Sequence, residues 1–432
     1  MITRIEIDGF KSFLGFELDV HPCTVLVGAN GAGKSNLLAA LDLVRQTVAT
    51  GFPVTPGRDA PLAPRHLFHR ADGRSSAVMS IKVGMIVPSA DGPLPMVVWL
   101  EVERAEAPRS PGAAPALRGS VWVSSMERTG WMRRLGLPDE LRTALAEARQ
   151  SFVRRTGTEW VPLDGTQAPT AGRGRPGDGE LLQLLHRECE TWQPVTLDPA
   201  AMRRASGGSE LAPLLADGGN LAAVLHRLGT EPEPGLEADL AALVPEATGV
   251  RALFDDRRGE YDFDVRVRHQ GWTSPPMLAG GTLRVLALLA AWRDDTRAGL
   301  LAVEELENGL HPTTLAALVR LLRSGVDDWA DMPARAAHVS GFRQLLATTH
   351  SPALLSALRH DTTGNLVFLE QAPPGHGAGP GADTGDGADA PSGPTVTRAH
   401  PLRDRRPGED PGETVSSEQV RQLLERMGQT VV

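Results

Sequence analysis

Gly28-Ala29-Asn30-Gly31-Ala32-Gly33-Lys34-Ser35 has the spacing G-x-x-x-x-G-K-[ST] of a phosphate-binding loop. The apolar run Thr24-Val25-Leu26-Val27 before it reads as a strand, and Asn36-Leu37-Leu38-Ala39-Ala40-Leu41 after it reads as a helix. That strand, loop, helix context is the one the chemistry needs. Glycines let backbone N–H groups turn inward onto phosphate oxygens, and the helix start adds its positive dipole end. Lys34 is placed to reach the β- and γ-phosphates, and Ser35 to ligate Mg²⁺. Lysine occurs only at Lys11, Lys34 and Lys82, so a chance G-K-S is rare in this composition. A nucleoside triphosphate site follows.

Working outward, three later segments carry chemistry at strand ends or helix starts. Leu278-Ala279-Gly280-Gly281-Thr282-Leu283-Arg284 opens a helical run, and a Gly-Gly turn there exposes backbone amides to an anion. Leu300-Leu301-Ala302-Val303-Glu304-Glu305 is an apolar strand ending in paired carboxylates. One acid can hold Mg²⁺ through water and the next can orient and deprotonate an attacking water. Leu345-Leu346-Ala347-Thr348-Thr349-His350 is a strand ending at a histidine that can hydrogen-bond a γ-phosphate. In parallel α/β sheets such ends gather at one edge. Each segment alone is as well explained by a plain turn, a solvated acid pair or a structural histidine; their joint occurrence carries the reading.

With 432 residues the chain can bury a large core, and two lobes are expected. The net charge of −9 gives no global basic signal for nucleic acid, although a local patch is compatible with it. Cys23 and Cys189 do not make a disulfide framework and fit a reducing compartment. No signal peptide is read, and the apolar run 285–292 is far too short to span a bilayer. A cytoplasmic location without a membrane partner is the expectation.

Patterning predicts strands near 76–87, 95–102, 120–125 and 261–267. Helices are expected over 138–155, 181–192, 220–228 and 417–427, with a helix and a turn over 235–256. No heptad run is long enough for an extended coiled coil. The expected division is an N-terminal half-head with the phosphate loop (1–125), an inserted mainly helical lobe (126–260) and a C-terminal half-head (261–371). The Gly/Pro/Ala/Asp-rich stretch 372–412 should be a disordered linker before a C-terminal helix in 413–432.

These segments together resemble the SMC/RecF/OLD group of ABC-type ATPases, close to short bacterial AAA-domain ATPases. Ile5-Glu6-Ile7-Asp8-Gly9-Phe10-Lys11-Ser12-Phe13 is similar to the opening of SMC heads, and the stretch 27–36 to their G-x-N-G-[AS]-G-K-S-N loop. The stretch 278–289 resembles the group's signature segment, 303–312 its Walker B region, 348–354 its switch-histidine segment, and Asp217-Gly218-Gly219-Asn220-Leu221 its D-G-x-N-L element. The resemblance implies an α/β fold, a P-loop NTPase head of ABC/SMC type with a mixed sheet and central helices. It implies ATP and Mg²⁺ bound by Gly28, Ala29, Asn30, Gly31, Ala32, Gly33, Lys34, Ser35 and Asn36. Two copies would close head to tail around ATP, Gly280 and Gly281 facing the partner's nucleotide. Ser35 and Glu304 would hold the metal, Glu305 would be the catalytic base, His350 the γ-phosphate sensor, and Lys34 the phosphate clamp. Two departures stand out. Ala279 replaces the usual signature serine, and Glu304 the usual aspartate. No Q-loop glutamine is identified; Gln46 lies in the first helix and is a poor candidate.

The biological role suggested is DNA repair or anti-phage defence, with a separate effector such as a nuclease or toxin. Arg133, Arg134, Arg142, Arg149, Arg154 and Arg155 form a sequence-local basic cluster that either contacts DNA or lines a solvated helix face. A transporter subunit shares the ATP site but calls for a far more compact stretch between Asn36 and Leu278. A nuclease domain of its own lacks room after His350.

Overall fold

The computed structural model describes residues 1–51, 66–71, 74–104, 117–124, 135–147, 152–156, 159–162, 178–207, 212–229, 234–294, 299–358, 363–373, 395–403 and 413–426. The first half supplies β1 (Ile2–Asp8), β2 (Phe16–Asp19), β3 (Cys23–Val27), the short pair β4 (Arg70–Ala71) and β5 (Arg74–Ser75), β6 (Val78–Ser89), β7 (Gly92–Arg104) and β8 (Leu117–Ser124). Then come β9 (Phe152–Thr156), β10 (Glu159–Pro162), β11 (Gln193–Val195), β12 (Ser206–Gly207), β13 (Ala247–Asp255), β14 (Glu260–Val267) and β15 (Gly271–Thr273). Last are β16 (Leu300–Val303), β17 (Gln344–Thr349), β18 (Thr363–Ala372) and β19 (Val396–Arg403).

Two large sheets organise the head. One has the order β10-β9-β8-β7-β6-β1-β2, with antiparallel neighbours throughout. The other has the order β11-β16-β17-β3-β18-β19. It is parallel from β11 through β18 and closes on the antiparallel edge strand β19, so the sheet is mixed. Fully buried strands read as continuous apolar runs, as β3 and β17 do.

Side-chain alternation divides the core between the two faces of this central sheet. Leu26, Leu300, Ala302, Leu346 and Val367 join one apolar cluster with Leu37, Leu41 and Val44 of the helix Lys34–Thr50 and with Ile81, Val83 and Val98 of the antiparallel sheet. Val25, Val27, Leu301, Val303, Leu345 and Ala347 join the other, with the helices Gly280–Trp292, Leu221–Leu228 and Pro312–Ser324. Leu283, Leu286 and Leu289 are fully buried, which explains why the Gly280–Trp292 helix is apolar nearly all round.

Several expectations need correction. Of the helix predicted over 138–155, Asp139–Glu147 is helical, 148–151 lie outside the described residues, and Phe152 lies in β9. The stretch 235–256 is the helix Pro234–Leu243 followed by strand β13. The stretch 126–260, expected as an inserted helical lobe, also builds the head. The helix Asp178–Glu190 buries Leu181, Leu184 and Leu185 in the first cluster, and β11 is an edge of the central sheet. The stretch 372–412, expected to be a linker, contains β19; residues 374–394 and 404–412 lie outside the described residues. Cys23 and Cys189 are buried and not joined in a disulfide, and burial pushes the Cys189 thiol well above its ordinary range. Among the described residues no helix is long and apolar enough to cross a membrane.

Candidate nucleotide site

Apart from Gly280 and Gly281, the candidate residues lie at or beyond the C-terminal ends of β3, β16 and β17, beside the edge strand β11. Parallel register brings those ends level: Val27 pairs with Thr349, Val303 with Ala347, and Val303 with Val195. The chain beyond each strand therefore emerges along one edge.

Beyond β3 the loop turns through Gly31 (φ 82°) and Gly33 (φ 105°), the left-handed region where a side chain is strained. Gly28 is constrained by space instead, because a Cβ there would sit 2.4 Å from the Leu369 carbonyl oxygen. Gly33 is also the N-cap of the Lys34–Thr50 helix, and no side chain caps that end. The first-turn amides thus have no intrahelical acceptor and face the loop. Lys34 is 8% exposed, and its Nζ donates to the carbonyls of Gly28 (2.5 Å) and Ala29 (2.9 Å). Burial lowers its pKa below the ordinary lysine value, opposed by the charges of Glu307, Glu305 and Glu304. No carboxylate lies within ion-pair distance of this ammonium among the described residues. A buried cation held by carbonyls alone, beside uncapped amides, suits a polyphosphate.

Beyond β16 the acidic turn is held from both sides. The Glu304 N–H donates to the Val195 carbonyl (2.9 Å) and the Leu306 N–H to the Thr348 carbonyl (3.0 Å), continuing the ladders to β11 and β17. The Glu304 carboxylate accepts from the Ser35 hydroxyl, and from the Thr196 hydroxyl at 3.0 Å. Hydroxyl and carboxylate oxygens are the hard donors Mg²⁺ prefers. Among the described residues no group of three or more His, Cys, Asp or Glu forms a metal cage.

Glu305 has φ 49°, a left-handed backbone that a non-glycine residue adopts only when its surroundings hold it. They do: its N–H donates to Thr348 Oγ1 (2.9 Å), and its Oε2 accepts from Asn308 Nδ2 (2.5 Å). His350 is anchored through Glu307, whose Oε1 accepts from the His350 N–H (2.6 Å) and lies 2.8 Å from its Nδ1. The imidazole remains about half exposed.

Gly280 and Gly281 start the Gly280–Trp292 helix, and their close neighbours are Pro199 and Gly309 rather than the phosphate loop. A Cβ on Gly281 would sit 2.5 Å from the Gly309 carbonyl oxygen. Arg284, within the same segment and one turn along the helix, lies in the field of the acidic turn. It is buried, donates to the Leu197 carbonyl (3.0 Å), and its lowered pKa reflects burial opposed by Glu305, Glu307 and Asp198.

Ser35, Lys34, Glu304, Glu305 and Glu307 are thus drawn together, with His350 at the rim. Sequence reasoning missed Thr196, Glu307, Thr348 and Arg284 as parts of the site. Glu307 was legible as a third acid after Glu304 and Glu305; Thr196 had no signal, because the three-residue β11 is too short to show a period. The arginine cluster is not gathered on a helix. Arg142 pairs with Asp139, Arg154 and Arg155 occupy successive positions of β9, and Arg133, Arg134 and Arg149 lie outside the described residues.

The chain is similar to several known proteins. Residues 1–63 match the family described as "AAA ATPase domain", and residues 239–356 the family described as "AAA domain, putative AbiEii toxin, Type IV TA system". The DNA replication and repair protein RecF of Mesorhizobium japonicum is 26% identical over 305 residues, covering 64% of this chain and 74% of that protein. The fold is similar to an Smc head bound to the C-terminal winged-helix domain of ScpA, with a TM-score of 0.51, 12% identity and coverage of 93% of this chain and 97% of the other. A second Smc head, from Pyrococcus furiosus, aligns over 99% of both chains at 11% identity with a TM-score of 0.46. Two AAA-type matches that contain the candidate residues, a RecF relative and the fold of an SMC head make this chain similar to ABC ATPases of the SMC/RecF type.

Proposed function

We propose that the chain binds ATP with Mg²⁺ at the phosphate loop and hydrolyses it, two copies engaging head to tail. The observation that carries this reading is the meeting of Ser35 with Glu304, beside Lys34 and Glu305. Ser35 and Glu304 would hold Mg²⁺, which when bound neutralises charge developing between the β- and γ-phosphates. The loop amides and Lys34 bind and orient the triphosphate. Glu305 orients a water and takes its proton, its carboxylate aimed by Asn308 and its backbone by Thr348. His350, braced on Glu307, senses the γ-phosphate. Gly280 and Gly281, turned away from their own loop, serve the nucleotide of the second copy.

The relative's role in DNA replication and repair, and the toxin-system description of the C-terminal match, support a cytoplasmic role on DNA, in repair or anti-phage defence. A separate effector protein, a nuclease or toxin, would then carry the output. The decisive experiment is ATP turnover by the purified chain alongside Glu305→Gln. Turnover should vanish in the variant while an ATP-bound dimer accumulates in sedimentation; equal turnover in both proteins would remove Glu305 as base.

A further inference from the structure

Both AAA-type matches end before β18, yet β18 and β19 reach back to the phosphate loop. Thr397 of β19 is fully buried against it. Its Oγ1 donates to Ser12 Oγ (2.8 Å) and accepts from Gln371 Nε2 (3.0 Å), and its N–H donates to the Ser12 carbonyl (2.9 Å). Gln371 Nε2 also donates to the Gly31 carbonyl (3.1 Å), and Asn36 Nδ2 donates to Ser12 Oγ (2.9 Å). Thr397 Oγ1 and Cγ2 lie 2.4 and 2.9 Å from where a Cβ on Gly33 would project. The two loop glycines with left-handed φ are therefore each braced from outside, Gly31 by Gln371 and Gly33 by Thr397.

We propose that Thr397, acting with Ser12 and Gln371, is a positioning residue that holds the phosphate loop in its anion-binding shape before the nucleotide arrives. A loop of glycines has many accessible conformations, and only those with inward amides bind phosphate. Bracing from β18 and β19 removes the others in advance, so binding does not bear that ordering cost. None of these three side chains needs to touch ATP. Their loss should therefore weaken nucleotide binding uniformly, raising KM and leaving kcat in place. The ATP part of this inference rests on the function proposed above; the loop-ordering part does not.

The test uses the full chain with Thr397→Val, Thr397→Ser and Gln371→Ala, the last at an exposed position where folding is not at stake. Amide hydrogen exchange over residues 28–36 is measured without nucleotide, and ATP–Mg²⁺ affinity by calorimetry together with KM and kcat. Thr397→Val and Gln371→Ala should each speed exchange in that stretch and weaken ATP binding by about three- to tenfold, the worth of one lost hydrogen bond. Thr397→Ser, which keeps the hydroxyl, should stay within about twofold of the parent chain. Unchanged exchange in Thr397→Val and Gln371→Ala overturns the proposal, as does a Thr397→Ser variant as impaired as Thr397→Val. A parent chain that fails to bind ATP removes the ATP reading, while the exchange data still decide whether the strand positions the loop.

Discussion

Ser35 and Glu304, 269 positions apart, share a hydrogen bond at the edge of the central sheet, with the hydroxyl donating to the carboxylate. The pair joins the start of the Lys34–Thr50 helix to the end of β16, and β17 lies between β3 and β16 in the sheet. Ser35→Ala should leave the fold intact and remove the Mg²⁺ dependence of ATP binding. Calorimetric titrations with and without Mg²⁺ would then give the same affinity, within error.

Lys34→Ala should weaken ATP binding by about a hundredfold or more, since it deletes charge-assisted hydrogen bonds worth roughly 1.5–3 kcal/mol each. A titration showing undiminished affinity would contradict the phosphate-clamp role.

The same lysine should cost stability when nucleotide is absent. Its pKa in the folded chain lies below the unfolded value of 10.5 because burial disfavours the ammonium. Between the folded pKa and 10.5 the unfolded chain binds more protons, so stability rises with pH across that window. At neutral pH the full cost of burying the charge remains. Lys34→Met should therefore raise the melting temperature of the nucleotide-free protein and flatten its rise toward pH 10. A lower melting temperature in Lys34→Met would show that its carbonyl contacts outweigh desolvation.

Gly33→Ala should damage both the loop and its support. The added Cβ meets Thr397 at 2.4 Å and has to adopt a φ of 105°. A cost of about 1–3 kcal/mol is expected from the strained backbone alone. Urea denaturation should register this as a lower midpoint with an unchanged m-value.

Ala279 is the N-cap of the Gly280–Trp292 helix and offers no side-chain cap. Ala279→Ser should stabilise the monomer by about 0.5–2 kcal/mol through capping. If the head-to-tail arrangement holds, the new hydroxyl also reaches the partner's phosphate, and ATP-dependent dimerisation tightens. The two effects separate cleanly: melting without ATP reads the cap, and sedimentation with ATP reads the interface.

Local patterns made much of the head legible. The phosphate loop announced itself because its glycines, lysine and serine are contiguous, and β16 and β17 because apolar runs stop abruptly at Glu304 and His350. Other features misled for equally local reasons. Phe152 continues a helical apolar spacing, yet it pairs into β9, because a strand partner in β8 outweighs propensity. The Gly/Pro-rich composition of 372–412 hid β19, whose place is fixed by pairing with β18 rather than by its own pattern.

The sequence by itself determined which residues are the candidates for phosphate and metal, because those chemistries need particular groups at short fixed spacing. Only the tertiary structure decided that Ser35 meets Glu304, that Glu307 anchors His350, and that Thr397 backs Gly33. Those contacts depend on strand order and register, which are set by burial of both faces of the central sheet and leave no trace in any one segment.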